Sequence, residues 1–443
     1  MLFLMSFLLT HMRSLAALLA LALFLQASDD SRPSPSQLKA VLEAINKAVE
    51  TEYCDPQVAP SWLQSERQHE NRILRAKSKQ EAVDEIRRAL AELHNSHVFF
   101  YTRDEWKLRQ NVLPLTFEKR EGRVFVRTPL RHSDLRFGDE IAEINGQPAS
   151  ALQPKSLAKA SGVYGNPLYG EPSSMATLTV VSDGGMRKVQ VQRIKLGDED
   201  AIQAEELTSH AIFIRLLSLP GDETGTSHLQ ESWNKATSAT ALVIDLRDCS
   251  GGWPSASSYI LDSLLGSSRK PFKSLDRRGA EVPLPKALAP SPRFTGPVAV
   301  LIGEGTQSEC EVLAAGLRET RRAILVGDKT AGAFNGFTTS VSLPDDFAFF
   351  ALPYTRTLSP QNVTYEGIGV APDKAIENGI DNFRAGHDRV LEEAEPLIGE
   401  ARSGSEETPL RKPADSKDKE RLGATDLNKD AHAFGPGALL IFE

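Results

Sequence analysis

The chain has 443 residues, 51 lysines and arginines against 59 aspartates and glutamates, and a formal net charge of −8. A hydrophobic fraction of 40% with 25% charged residues describes a globular protein long enough to bury its cores unaided, which excludes a polytopic membrane protein, a collagen-like repeat and a disulfide scaffold. The acidic balance and the lack of a long basic run count against nucleic acid as a partner, and three cysteines without CxxC or Cys/His zinc spacing leave no structural metal expected.

Residues 1–27 carry Arg13, the apolar run Leu15–Leu25 and the small residues Ala27 and Ser28 at their end, the n-region, h-region and cleavage zone of a secretory signal. The run is shorter than the ~20 residues that span a bilayer, but Leu2–Leu9 lies upstream. Two readings stay open: a signal cleaved on export, with translation from Met12, or an uncleaved anchor. No cysteine follows the run, so no lipid anchor is expected. After the Ser/Pro linker Ser31–Ser36, Leu38, Val41, Ile45 and Val49 recur at helical spacing. Ala82, Ile86, Leu90 and Leu93 do the same from Lys79, and together these give an N-terminal helical segment over 28–111.

Residues 112–196 change to short alternating strands with an Asn145-Gly146 turn, a small inserted β domain. From Ala211 strand and helix patterns alternate. AIFIRLLSL, ALVIDLRDC, PVAVLIG and AILVGDKT read as strands. His228–Thr237, Pro254–Leu265 and Ser308 to about Arg321 read as helices, and two further strands fall within Thr338–Thr357. Continuous apolar strands between helices predict an α/β (mixed α+β) domain over 197–400, with a mostly parallel sheet covered by helices on both faces. Residues 401–443 form a tail expected to be disordered, since Ser403–Asp430 is charged and poor in aromatics, with the apolar GPGALLIFE at its end.

Two segments of this domain carry chemistry. TQSECEVLAAGL, Thr306–Leu317, follows a buried strand and opens a helix. Its serine therefore sits at the C-terminal edge of the sheet, where open α/β sheets bind ligands, beside N–H groups suited to an oxyanion. The plainer reading of Ser308 is a helix cap, with Glu311 completing a capping box. In DLRDCSGGW, Asp245–Trp253, the pair Gly251-Gly252 can aim an N–H at a reacting carbonyl or simply make a tight turn. A serine nucleophile needs a base. Of nine histidines, His94 and His97 lie together at a helix-to-strand junction. Asp345, Asp346, Glu366 and Asp373 are the carboxylates available to orient an imidazole, and spacing alone does not choose among them.

Taken in order, LHNSHVFFYTRDEW, RFGDEIAEINGQPA, ALVIDLRDCSGGW, PVAVLIGEGTQSECEVLAAGL, ILVGDKTAGA and YEGIGVAPD resemble the segments of the tail-specific, or C-terminal processing, serine peptidase family, over about residues 36–378. The resemblance implies a ClpP/crotonase-like core with an inserted PDZ-like domain that binds an extended peptide by strand addition. No Gly-Leu-Gly-Phe carboxylate loop is evident in the insert. The better-known branch uses a Ser-Lys dyad. Here Ala333 stands at the lysine's place, and Lys329, four residues earlier, is roughly 13 Å away along a strand. The sequence instead resembles the tricorn-like branch. That implies Ser308 as nucleophile, His97 as base, Ser96 as helper hydroxyl and Glu366 as orienter, with oxyanion donors from the backbone N–H of Glu309 and of Gly251 or Gly252.

The implied activity is that of an exported serine endopeptidase acting on polypeptides, periplasmic or extracellular. It needs no cofactor or metal and meets the membrane only through its signal or anchor. A non-catalytic peptide- or ligand-binding protein on the same fold is the alternative. Cys54, Cys249 and Cys310 are expected as packed, reduced thiols, the last two beside the oxyanion donors.

Overall fold

Capping chemistry starts the first helices. Helix α1 (Pro35–Thr51) opens at Ser34, whose Oγ accepts the Gln37 N–H, and Pro35 occupies a first-turn position where its missing N–H costs nothing. Leu38, Val41, Ile45 and Val49, joined by Leu42 and Ala48, form its buried stripe. Helices α2 (Ala59–Leu74) and α3 (Lys79–Ala91) follow, α3 capped by Ser78 on the Glu81 N–H. The computed structural model describes residues 32–131, 134–152, 167–182, 185–267, 271–287 and 289–403. The N-terminal signal and the tail beyond 403 lie outside the described residues.

These helices bury their apolar face against Phe350 and Leu352. Both belong to the strand Phe349–Pro353, which pairs antiparallel with Phe99–Tyr101 on one side and Thr338–Val341 on the other. The two strands expected within 338–357 therefore do not extend the main sheet. A short connection joins them into a hairpin, whereas parallel addition would need a crossover of a dozen residues or more. Thr355–Leu358 turns away to pair with Lys273–Asp276.

Within 112–196 the strands Leu115–Arg120, Arg123–Pro129, Glu140–Ile144, Met175–Ser182 and Gly185–Gln192 form an antiparallel sheet in that order. Alternate side chains, Val124, Val126, Ile141, Leu178, Val180 and Val189 among them, fill its core.

The main sheet is built from β1 (Ile202–Glu206), β2 (Ile212–Leu216), β3 (Leu242–Asp245), β4 (Val298–Ile302), β5 (Ile324–Gly327) and β6 (Lys374–Ala375), in the order β6-β5-β4-β3-β2-β1. Every neighbouring pair is parallel except β1–β2. Ile214, Ile244 and Val300 face Leu229 and Trp233 of α4 (Glu223–Thr237), Ile260 of α5 (Pro254–Leu265) and Leu313 of α6 (Glu309–Glu319). Phe213, Val243, Ala299 and Val326 face Val390, Ala394 and Ile398 of α7 (Arg389–Ser403). Burial on both faces is why these strands read as unbroken apolar runs. Helix α4 starts earlier than the apolar periodicity suggests because the Asp222 carboxylate accepts the Gly225 N–H and caps it.

At the end of β3 the buried Arg247 guanidinium donates to both oxygens of Asp245 and both of Asp388, at 2.7–2.9 Å. Burial alone raises the Asp245 carboxyl, but Arg247 and Arg215 more than offset it and hold it below its ordinary value. This pairing anchors the turn that leads to Gly251. Asp388→Ala leaves a buried guanidinium half-paired, and a loss of about 3 kcal/mol is expected, read as a lower urea midpoint at pH 7 and partly recovered by Asp388→Asn.

Candidate active site

Strands β3 and β4 are parallel neighbours in register, Asp245 beside Leu301, so the segments that follow them emerge side by side. After β4 the chain turns through residues 303–307 to Ser308, the N-cap of α6. Ser308 has φ 53° and ψ −129°, a backbone region that non-glycine residues rarely occupy. Two backbone bonds hold it there: Ser308 N–H to the Ala333 carbonyl at 2.8 Å and Gln307 N–H to the Cys249 carbonyl at 2.9 Å.

The Ser308 hydroxyl makes no capping bond. Glu311, the other half of the possible capping box, accepts instead from the Thr330 hydroxyl and the Gly332 N–H. Burial pushes its carboxyl up to about 8, which favours the neutral form beside Glu366. Ser308 Oγ lies 2.9 Å from His97 Nε2. The Ser96 hydroxyl lies 2.7 Å from His97 Nδ1 and donates to Glu366 Oε2 at 2.9 Å. Glu366 also accepts the N–H groups of Ser96 and Phe334, each at 2.7 Å.

Proton bookkeeping along this row assigns the tautomer. An ionised carboxylate only accepts, so Ser96 spends its single hydrogen on Glu366. Its oxygen then accepts from His97 Nδ1–H, which leaves Nε2 bare to receive the hydrogen of Ser308. Asn95 fixes the same turn by accepting the His97 backbone N–H at 2.9 Å.

Gly251 faces Ser308 at close quarters. Its φ is 102°, and a Cβ there would stand 2.6 Å from Ser308 Cβ, so only glycine fits. At Gly252, with φ 136°, a Cβ would stand 2.1 Å from the Leu219 carbonyl oxygen. Among the described residues, the backbone N–H groups of Gly251, Gly252 and Glu309 have no acceptor.

The other carboxylates lie elsewhere. Asp373 accepts the Leu325 N–H and pairs with Arg318; Asp345 meets Gln37 and Asp346 meets Arg103. Lys329 is exposed, while Ala333 contributes its carbonyl to Ser308. Sequence reasoning passed over the Phe334 N–H and the Ala333 carbonyl, because backbone groups leave no trace in residue type.

The cysteine expectation is corrected. Cys54 is a buried free thiol, but Cys249 and Cys310 are joined by a disulfide, with Cα atoms 6.0 Å apart. They meet because each lies just beyond one of two adjacent strand ends. Cys249 precedes Gly251 by two positions and Cys310 follows Ser308 by two, a symmetry around the site that was the available signal.

A cavity of about 410 Å³ opens beside Ser308 and His97, walled largely by apolar side chains and bordered by Trp253. Among the described residues no group of three or more His, Cys, Asp or Glu is placed to hold a metal ion.

A family model for peptidase family S41 matches residues 210–376. The chain is 24% identical over 287 residues to the chloroplastic carboxyl-terminal-processing peptidase 3 of Arabidopsis thaliana, covering 61% of this chain and 53% of that protein. It is 24% identical over 283 residues to the carboxy-terminal processing protease CtpB of Bacillus subtilis, covering 62% and 55%. The matched region thus spans about half the length of these curated relatives. In fold the chain is similar to the photosystem II D1 C-terminal processing protease, with a TM-score of 0.52 at 22% identity over 82% of this chain and 97% of that one.

The bridge closes a loop of 61 residues between the two strand ends. Its removal by Cys249→Ser is expected to cost about 2–4 kcal/mol, seen as a lower melting temperature that reductant reproduces in the unmutated protein but not in the variant.

Proposed function

We propose that this chain, matched by the peptidase family S41 model over residues 210–376, is a serine endopeptidase of that family, cleaving peptide bonds through an acyl-enzyme. The observation that carries this reading is the unbroken row Ser308–His97–Ser96–Glu366, with successive contacts of 2.9, 2.7 and 2.9 Å. Ser308 Oγ attacks the carbonyl carbon while its proton passes to His97 Nε2. The carbonyl electrons collect on oxygen, toward the unpartnered N–H groups of Glu309 and of Gly251 or Gly252. The C–N bond then breaks as Nε2 gives its proton to the leaving amine. Water repeats the sequence on the acyl-enzyme, releases the acid and restores Ser308.

Glu366 acts through Ser96. Its charge favours the imidazolium that forms at each step, and its bonds keep Nδ1 protonated and Nε2 facing Ser308. Ala333 in the lysine position leaves this histidine relay as the proton acceptor, in the manner of the tricorn-like branch. The antiparallel sheet within 112–196 is read as PDZ-like, and its outer strand Gly185–Gln192 is an edge suited to strand addition by an extended peptide. Arg127 on that sheet pairs with Asp248 at 2.9 Å, which couples the peptide-binding sheet to the turn carrying Gly251.

The apolar run Leu15–Leu25 and the Cys249–Cys310 bridge both support export, since disulfides persist in oxidising compartments. No helix among the described residues is long and apolar enough to cross a membrane.

A fluorophosphonate probe is expected to label the purified protein, and Ser308→Ala and His97→Ala to abolish labelling. Labelling that is absent in the unmutated protein, or that survives Ser308→Ala, returns the chain to a binding role on this fold. Glu366→Gln is expected to lower kcat/KM by about a hundredfold or more with the melting temperature nearly unchanged. Retained activity would make Glu366 a structural residue.

A further inference from the structure

Glu309 supplies a backbone N–H to the site, but its side chain takes no part in the steps above. It lies in the first turn of α6 and lines the cavity beside Ser308. One carboxylate oxygen accepts from the Ser257 hydroxyl of α5. The surrounding walls are apolar: Leu261, Phe272, Val282, Leu284, Val312 and Phe337. Among the described lining residues the titratable groups are His97, Glu309 and Tyr354, and no lysine, arginine or aspartate is present. Asp262 on α5, Lys273 beside Phe272 and Arg356 beside Thr357 lie on elements that pack around the cavity without lining it.

A cavity that touches both the nucleophile and the Gly252 turn receives the side chain nearest the attacked carbonyl. Its volume of about 410 Å³ exceeds the need of a small side chain. A carboxyl among apolar walls changes what such a cavity accepts. Neutral, it tolerates an apolar side chain and costs little. Ionised, it is a half-buried charge with no lysine or arginine among the lining residues, and a lysine or arginine entering the cavity supplies the counter-ion.

Resting on the peptidase reading, we propose that Glu309 is the specificity-determining side chain of this enzyme, selecting large apolar residues on the acyl side of the scissile bond when protonated and lysine or arginine when ionised. The switch falls in an accessible range, because burial raises the Glu309 carboxyl to about 7. The sign follows directly: a raised carboxyl stays neutral below that pH and charges above it, so apolar preference belongs to the acidic side. At pH 6 the neutral form predominates roughly tenfold and at pH 8 the ionised form does.

The test uses two peptide substrates identical except for leucine or lysine at the acyl position. The quantity measured is the ratio of their kcat/KM values from pH 5.5 to 8.5. Any pH dependence of the chemical step common to both substrates cancels in the ratio. A lysine-to-leucine ratio that rises about tenfold or more between pH 6 and pH 8, and that becomes flat in Glu309→Gln, is the expected result. A flat ratio in the unmutated enzyme, or the same rise in Glu309→Gln, overturns the assignment while leaving the peptidase reading intact. Failure to hydrolyse either peptide, together with failure of fluorophosphonate labelling, overturns both. A melting temperature of Glu309→Gln equal to that of the unmutated protein shows that the variant is folded.

Discussion

The backbone of Ser308 is the constraint on which the rest of the site depends. A non-glycine residue at φ 53° and ψ −129° costs on the order of 1–3 kcal/mol, and the conformation persists because the surroundings over-determine it. The Ala333 carbonyl takes its N–H, the Cys249 carbonyl takes the N–H before it, and α6 begins immediately after it. This turn lifts the hydroxyl away from the helix end it would otherwise cap and presents it to His97. Relaxing it to an ordinary helical cap would satisfy α6 and remove the contact with the imidazole.

Every partner of that turn arrives from a different part of the chain. His97 and Ser96 come from the junction after α3, Gly251 from the end of β3, Glu366 from the segment before β6. The inserted sheet separates the first of these from the others in sequence, yet the N-terminal helices dock on Phe350 and Leu352, beyond Ser308 in the chain. That contact ties the N-terminal segment to the body that carries Ser308. It also explains why the hairpin at 338–353 leaves the main sheet: its apolar face is needed to seat α1 and α3.

Electrostatics at the start of α6 runs against the helix dipole. Acidic residues in a first turn are ordinarily stabilised in their charged form, by about 0.3–1 kcal/mol. Glu309 and Glu311 both occupy that turn, and burial outweighs the dipole in each, raising the carboxyls to about 7 and about 8. Glu366 is the contrasting case: it accepts three hydrogen bonds, from the Ser96 and Phe334 N–H groups and the Ser96 hydroxyl.

What the sequence determined by itself was local or periodic. The stripe from Leu38 to Val49 defines α1 because helical spacing is written in residue type, and the double-sided apolar strands from Ile212 to Val326 announce a sheet covered on both faces. Ser308, His97 and the glycine pair each allowed a plainer local reading, and it was the order of their segments along the chain, through the family resemblance, that singled them out. Spacing alone left the distant carboxylates undecided and only the resemblance pointed to Glu366; the fold is what brings Glu366 to Ser96 across 270 positions. It alone joined Cys249 to Cys310, overturning the expectation of free thiols, because the bridge follows from β3 and β4 ending side by side. It also turned the Glu309 side chain into an apolar cavity, where position in a helix would have predicted a solvated, charged carboxylate. Sequence records what each residue can do over a few neighbours; proximity between strand ends, and the water removed when they meet, exist only once the chain has folded.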